Sequence, residues 1–245
     1  MRQYIKDLKA RLDPAQNPYI RSLRSGEISR EDFVETQIQF LFAVVFFSRP
    51  MMVLAGRMPR NEHRLALLEN VHEEHGEGNL SMSHEQTFLM LMQRLGVGLD
   101  DIEARGLWPQ VRAFNTSLAG LCTLDDVHTG LAALGIIEDL FSGISADIGQ
   151  SIVSRGWLGR DDIVHYGVHE VLDVEHAESF YAPLERDWER HPRQRYQIQQ
   201  GLELGGHLFM TMYEGLYRDR ARRWMRDVKG PHSLADGWYL DTEAR

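Results

Sequence analysis

The amino-acid sequence predicts an all-α protein, and three observations support this. Apolar residues recur with the 3.6-residue spacing of helices over almost the whole chain. Alternating polar and apolar runs flanked by hairpin turns, which are typical of strands, do not occur. Helix start and stop signals separate the periodic segments, such as Ser83-x-x-Gln86 at a start and Gly96 at an end.

The predicted helices follow one another with short connections. The stretch FLFAVVFF at 40–47 is apolar on every side and predicts a helix in the centre of the core. Pro50 is expected to break or kink that helix, and Pro183 a later one. The predicted segments are residues 2–12, 17–24, 30–47, 60–75, 83–95, 108–121, 123–153, 169–190 and 194–226.

Composition limits the possible functions. The 245 residues are predicted to form a single domain, 1–245, with a loosely ordered tail at 230–245. The net charge of −9 argues against nucleic-acid binding. A single cysteine, no secretory signal and no long uninterrupted apolar run predict a cytoplasmic protein without a membrane partner. No lysine lies between residues 10 and 228, which argues against a Schiff-base mechanism.

The stretch HEVLDVEH at 169–176 carries the clearest chemical signal. His169, Asp173 and His176 stand at i, i+4 and i+7, so a helix places all three on one stripe. Two imidazoles and a carboxylate are suited to a transition metal. Glu138 adds a carboxylate in the middle of an apolar helical face, where either a buried salt bridge or a metal would satisfy it.

A third segment, EEHGEGNLSMSH at 73–84, contains a glycine-rich break between two predicted helices. The break lets the chain reverse, so that Glu74 and His84 can point at one spot, although such residues near helix ends are more often caps or solvated. Together the segments supply three carboxylates and three histidines, enough for two irons. Oxygen and imidazole ligands without a thiolate favour iron or manganese over structural zinc. The candidate ligands are Glu74, His84, Glu138, His169, Asp173 and His176.

These segments resemble the heme-oxygenase-like di-iron oxidases and oxygenases, relatives of the PQQ-biosynthesis oxidase and of the TenA proteins. The resemblance rests on E-x9-H in EEHGEGNLSMSH, the later Glu of ALGIIED, and H-x3-D-x2-H in HEVLDVEH, with NPYIRSLRSGEISREDFVETQIQF similar to the opening helices. It implies a heme-oxygenase-like bundle of about seven helices that binds no heme. It also implies that Glu74, His84 and His169 hold one iron, and that Glu138, Asp173 and His176 hold the other.

The resemblance further implies the chemistry and the partners. Two irons per chain, Fe(II)/Fe(III), would activate O2 as co-substrate with electrons from an external donor. The substrate would be a small organic acid or amine, such as a fatty acid or an amino-acid derivative, in a biosynthetic pathway, and relatives suggest a homodimer. The alternatives are a cofactorless PQQ-biosynthesis-oxidase-like or TenA-like enzyme on the same fold, and a non-catalytic metal-binding helical protein.

Other residues leave further interpretations open. Glu69 and His72 form an E-x-x-H pair of the kind found in ferritin-like bundles, whereas His165 and His75 are candidate donors to the ligands. His207 either faces the cavity or, as is more common, is a satisfied core histidine. The 40–47 stretch and Met51, Met52, Met90, Met92, Met210 and Met212 would line an apolar cavity or simply fill the core. Arg49 is a candidate anchor for a substrate carboxylate, against a structural role.

Overall fold

The computed structural model describes the backbone of residues 1–228 and the side chains of all of these except 164 and 167–176. Within this part the chain is all-α, with short 3-10 turns, one isolated bridge and no strand, which confirms the predicted fold class. The tail at 230–245 lies outside the described residues. The ten helices are α1 (Arg2–Leu12), α2 (Pro18–Ser25), α3 (Arg30–Arg57), α4 (Asn61–Glu74), α5 (His84–Arg94), α6 (Leu99–Glu103), α7 (Pro109–Thr123), α8 (Val127–Ser154), α9 (Val164–Arg190) and α10 (Pro192–Arg218).

The predicted helix end near Phe47 is wrong, because α3 continues through Pro50 to Arg57. A proline inside a helix costs about 3 kcal/mol. Phe46 and Met51 on either side are buried in the core, and burying each large apolar side chain contributes about 1.5–3 kcal/mol. Packing therefore outweighs the lost backbone donor. α9 likewise contains Pro183 without ending there.

By length and composition α3 is the one described helix that could cross a membrane. However, 72% of its most apolar window is buried inside the protein. Its hydropathy is therefore accounted for by contacts with other helices, as predicted for a helix in the centre of the core. Phe40 and Phe42 are among its buried side chains.

α8 lies between α9 and α10, its most extensive packing partners. Glycines permit the close approach of α10: a Cβ at Gly201 would lie 2.2 Å from the carbonyl oxygen of Thr129, and one at Gly205 would lie 2.7 Å from that of Ala133. α8 begins after Asp126, whose carboxylate accepts from the backbone N–H of His128. The predicted start at Thr123 is wrong, because that residue ends α7.

The turn between α4 and α5 is built on glycine. Gly76 has φ +70°, and a Cβ there would lie 2.7 Å from the backbone nitrogen of Ser83, so no other residue fits without a shift. Ser83 then caps α5, its hydroxyl accepting from the N–H of Gln86. As predicted from the glycine-rich break, the chain reverses here, between the last residue of α4 and the first of α5.

Candidate metal centre

The reversal between α4 and α5 brings Glu74 and His84 into contact. Glu74 is the last residue of α4 and His84 is the first of α5. Nδ1 of His84 lies 3.0 Å from Oε1 of Glu74, and both side chains are buried. Glu74 therefore contacts the His84 ring through Nδ1.

Glu138 joins this pair from the middle of α8, at 4% exposure. Glu74, His84 and Glu138, three of the six predicted ligands, line one cavity of about 50 Å³. The apolar face of α8 that carries Glu138 therefore borders this cavity. A second carboxylate, Glu74, and an imidazole, His84, line the same cavity. The described lining residues are Phe40, Ala43, Val44, Phe47, Glu74, His84, Phe114, Ile137, Glu138, Phe141, His165 and Phe209.

The apolar wall of the cavity begins with α3. Residues 40, 43, 44 and 47 follow the i, i+3, i+4, i+7 spacing of one helical face, so the stretch 40–47 does line a cavity. Phenylalanines from α7, α8 and α10 complete the wall. Val44 and Phe47 are its partly exposed members, which indicates that the cavity reaches solvent beside α3. The six methionines considered as lining residues are not among the described ones.

His165, in the first turn of α9, is 1% exposed and also lines the cavity. The hydroxyl of Thr87 donates to the carbonyl oxygen of His84 at 3.1 Å and lies 3.2 Å from Nδ1 of His165. A hydroxyl has one proton, so both contacts are hydrogen bonds only if Nδ1 of His165 donates. The geometry therefore favours the tautomer with its lone pair on Nε2. From the sequence His165 was only a candidate hydrogen-bond donor to the ligands.

The side chains of His169, Asp173 and His176 lie outside the described residues. Helix α9 spans all three positions, and His165 precedes position 169 by about one turn. Among the described side chains no group of three His, Cys, Asp or Glu is arranged to hold a metal ion. The six-ligand set therefore stays a prediction, of which the structure brings Glu74, His84 and Glu138 to a common cavity.

The donors at the cavity fit the metals that the sequence favours. Two buried carboxylates at one cavity are costly as anions unless cations offset them. Carboxylate oxygens and imidazole nitrogens are ligands of iron and manganese. The aromatic surroundings keep bulk water away and thereby strengthen the attraction between these carboxylates and a cation.

Arg49, the predicted substrate anchor, is not among the described lining residues of the cavity. It is partly buried two residues beyond Phe47. It acts on Glu85: burial raises the pKa of that carboxyl group, and the charge of Arg49 partly opposes the rise. The structure thus places Arg49 beside an acid of α5, and its role toward substrate stays a prediction.

The alternative E-x-x-H pair does not face the cavity. Glu69 and His72 are exposed on α4. The ferritin-like interpretation therefore loses the E-x-x-H pair on which it rested. His75 is exposed, and its Nδ1 contacts the carbonyl oxygen of Val71 at 2.7 Å. His207 is exposed on α10, so it belongs neither to the cavity nor to the core.

Comparison with known families places the chain by sequence. A family model described as "iron-containing redox enzyme" matches residues 34–210, which run from near the start of α3 through most of α10 and include every predicted ligand. The chain belongs to this family. Membership rests on the whole matched length, independently of how any one ligand is assigned. No curated protein matches the sequence significantly.

Solved structures show the same fold. A domain of unknown function with a heme-oxygenase-like fold from Shewanella denitrificans has a TM-score of 0.72 at 14% identity, covering 89% of this chain and 90% of its own. A TenA homologue from P. horikoshii has a TM-score of 0.70 at 13% identity, covering 88% and 97%. A CADD-like protein of unknown function from Nostoc punctiforme has a TM-score of 0.70 at 16% identity, covering 90% and 100%. The predicted heme-oxygenase-like fold is confirmed, with ten described helices rather than about seven.

Proposed function

We propose that the protein is a non-heme di-iron enzyme that uses O2 to oxidise a small organic acid or amine. The observation that carries the proposal is that Glu74, His84 and Glu138, from three separate helices, line one cavity. Membership of the iron-containing redox enzyme family supports it. An external electron donor, a homodimer and a cytoplasmic location belong to the same proposal.

The protein's own part is to hold and orient the metal. Glu74 and Glu138 would supply carboxylate oxygens, and the contact between Glu74 and Nδ1 orients the His84 ring, whose Nε2 we propose as the ligand atom. Iron, when bound, supplies the electrons and the O2 chemistry that amino-acid side chains lack. His169, Asp173 and His176 on α9 are proposed to complete the set, with manganese as the other metal that suits these donors.

The cavity limits what can reach the site. An engineered cavity of about 150 Å³ binds benzene, so about 50 Å³ holds only a small group. We expect the reacting end of the substrate to lie against the phenylalanine wall, with the remainder extending past Val44 and Phe47. Arg49, two residues beyond Phe47, is proposed to attract a carboxylate there. A long fatty acid would require the side chains at this opening to move.

His165 is proposed to take a proton from the bound substrate. Its hydrogen bond to Thr87 leaves the lone pair on Nε2, the nitrogen that a proton acceptor needs. Its near-complete burial keeps water from competing for that nitrogen. His165 thus supplies a base that does not depend on the six predicted ligands.

Anaerobic loading with Fe(II), removal of unbound metal and a count of iron per chain test the proposal. The expected result is about two irons, with O2 consumption on adding a reductant and loss of both properties after chelation. Glu74→Ala and His84→Ala should bind less iron. Glu69→Ala and His72→Ala, which alter the exposed pair on α4, should match the unaltered protein. Equal iron in all four variants would overturn the ligand assignment.

The alternative is a TenA-like or cofactorless enzyme on the same fold, favoured by the structural similarity to TenA homologues. It predicts activity that survives exhaustive chelation. A non-catalytic metal-binding protein would instead retain iron and consume no O2 with any reductant. The iron count and the O2 measurement therefore separate all three functions.

A further inference from the structure

A second cavity, of about 240 Å³, lies apart from the candidate metal centre and shares no described lining residue with it. It is formed by the starts of α4, α8 and α10 and by the C-terminal third of α9. On α8 its lining residue nearest the metal centre is Leu131, seven residues before Glu138 and about 10 Å from it along the helix axis. Its lining residues are Met58, Pro59, Arg60, His63, Val127, His128, Leu131, Pro183, Leu184, Asp187, His191 and Gln194.

Four side chains at this cavity, of which Arg60 and His191 are exposed, carry nitrogen donors that meet no acceptor among the described residues. Arg60, His63, His191 and Gln194 make no side-chain hydrogen bond or ion pair to the part of the chain that the structure describes. A guanidinium has five N–H donors, an amide has two and an imidazole has at least one. The cavity thus presents a group of donors without matching protein acceptors.

Asp187 is the acidic side chain among the described lining residues, and it is already engaged. Its Oδ2 lies 2.9 Å from Nε2 of His128, whose Nδ1 lies 2.7 Å from Oδ1 of Asp126. Asp187 is thus engaged by His128, and it accepts no hydrogen bond from the donors of Arg60 among the described contacts.

Backbone groups add to the positive character of the cavity. α4 and α10 begin here, with 14 and 27 residues, whereas the start of α8 is already capped by the Asp126 carboxylate. Arg60 and His191 occupy the N-cap positions of α4 and α10, and neither makes a side-chain cap hydrogen bond. The unbonded N–H groups of a first turn carry partial positive charge and favour an anion.

We propose that this cavity binds a small oxyanion, either a phosphate group or a carboxylate, held by Arg60, His63, His191 and Gln194. Both anions offer several acceptor oxygens to a planar guanidinium. The volume accommodates a phosphate or carboxylate together with a few further atoms of a metabolite. The candidate metal centre has the opposite charge, since its carboxylates select a cation.

Titration calorimetry on the purified full-length protein tests the site, with inorganic phosphate in one arm and acetate in the other at constant ionic strength. Arg60→Gln and His63→Asn are compared with Arg186→Gln and His207→Asn, which alter exposed residues outside the cavity. Circular dichroism verifies that each variant is folded. Broadening of the ³¹P line of phosphate on addition of protein gives a second measure of binding. It should agree with the calorimetry for each variant.

Saturable binding that weakens at least tenfold in both cavity variants, and is unchanged in both controls, supports the proposal. Saturation by phosphate alone assigns a phosphate group, and saturation by acetate alone assigns a carboxylate. No saturation by either anion, or equal weakening in the cavity and control variants, overturns it. Neither result bears on the iron count, so failure here is separate from failure of the proposed function.

Discussion

Glu138 shows at the scale of one residue how burial and charge point to a ligand. Its carboxylate lies at 4% exposure among apolar side chains of α8, where an isolated charge would cost several kcal/mol. Its position in an apolar stripe made it visible in the sequence. The sequence could not distinguish an ion pair from a metal, because that choice depends on which side chains other helices bring to the same cavity.

Glu138→Gln keeps the shape of the side chain and removes its charge. We expect the affinity for Fe(II) to fall at least tenfold, because an amide is a poor substitute for an anionic ligand. Glu214→Gln makes the same change on the exposed face of α10 and should leave the affinity unchanged. Competition against a coloured chelator measures both. Equal Fe(II) affinity in the two variants would show that Glu138 is not a metal ligand.

His165→Asn tests the proposed proton acceptor. Loss of a positioned base slows reactions by about 10²–10⁴-fold, so substrate-dependent O2 consumption should fall in that range while the iron content stays at the level of the unaltered protein. A variant that loses iron instead would make His165 a ligand. Unchanged iron and unchanged O2 consumption would exclude both roles. His75→Asn, at an exposed position near the end of α4, is the control.

At the scale of helices, the close approach of α10 to α8 depends on small residues. Gly201→Ala would place a Cβ 2.2 Å from the carbonyl oxygen of Thr129, so the helices must separate. Overpacking of this kind costs about 1–3 kcal/mol, and each kcal/mol lowers Tm by about 2–4 °C for a protein of this size. Thermal unfolding followed by circular dichroism measures the shift.

Gly143→Ala is the matched control for Gly201→Ala. Gly143 is exposed on α8, and a Cβ there meets nothing within 4 Å. Alanine in an open helical position is favoured over glycine by about 0.5–1 kcal/mol, so Tm should rise slightly. If the Gly201 variant were as stable as the Gly143 variant, the packing of α8 against α10 would be described incorrectly.

The link between α8 and α9 through Asp187 should depend on pH. Burial by itself would raise the pKa of Asp187, but the hydrogen bond and charge of His128 outweigh it and lower the pKa below 3.8. A carboxyl group with a lowered folded-state pKa contributes stability above its unfolded pKa and loses it as the pH falls through the folded value. Asp187 therefore stabilises the protein at neutral pH and ceases to do so in acid.

Asp187→Asn should accordingly lower the free energy of unfolding at pH 7, with a difference that shrinks below about pH 4. Urea unfolding at pH 7, 5 and 3 measures it. Asp161→Asn, at an exposed position, should change little at any of these values. A difference for Asp187→Asn that grows toward acid would contradict the assignment.

Local sequence predicted the helix ends that depend on local chemistry. Ser83 caps α5, and Gly96, with φ +90°, follows the end of that helix. The helix end predicted near Pro50 was wrong because only the cost of the proline can be judged from local sequence. The burial of Phe46 and Met51, which offsets that cost, depends on distant helices. The exposure of His207 also escaped prediction, because the helical period alone does not show which side of α10 meets α8.

At the scale of the molecule, the all-α class followed from periodicity, and the heme-oxygenase-like arrangement followed from resemblance. The order of the predicted ligands indicated that separate helices meet, and three of the ligands do share a cavity. The second cavity had no sequence signal, because Arg60, His63, His191 and Gln194 come from separate helix starts. Only the tertiary structure brings these helix starts together.

Metal binding should stabilise the whole fold. A ligand at 100 times its Kd stabilises the native state by about 2.7 kcal/mol, which corresponds to a rise in Tm of about 5–10 °C. Fe(II) added without oxygen should produce a rise of this order, and Mg²⁺ should not. Glu138→Gln should reduce the rise. An equal response to Mg²⁺ would indicate non-specific binding of cations.

The central claim is that iron binds where Glu74, His84 and Glu138 meet. Anomalous scattering at the iron edge, from crystals grown with Fe(II), tests it most directly. The account predicts two peaks at this cavity, with oxygen and nitrogen ligands at about 2.0–2.2 Å. Full iron loading with peaks elsewhere, or with Glu74 and Glu138 outside ligand distance, would contradict it.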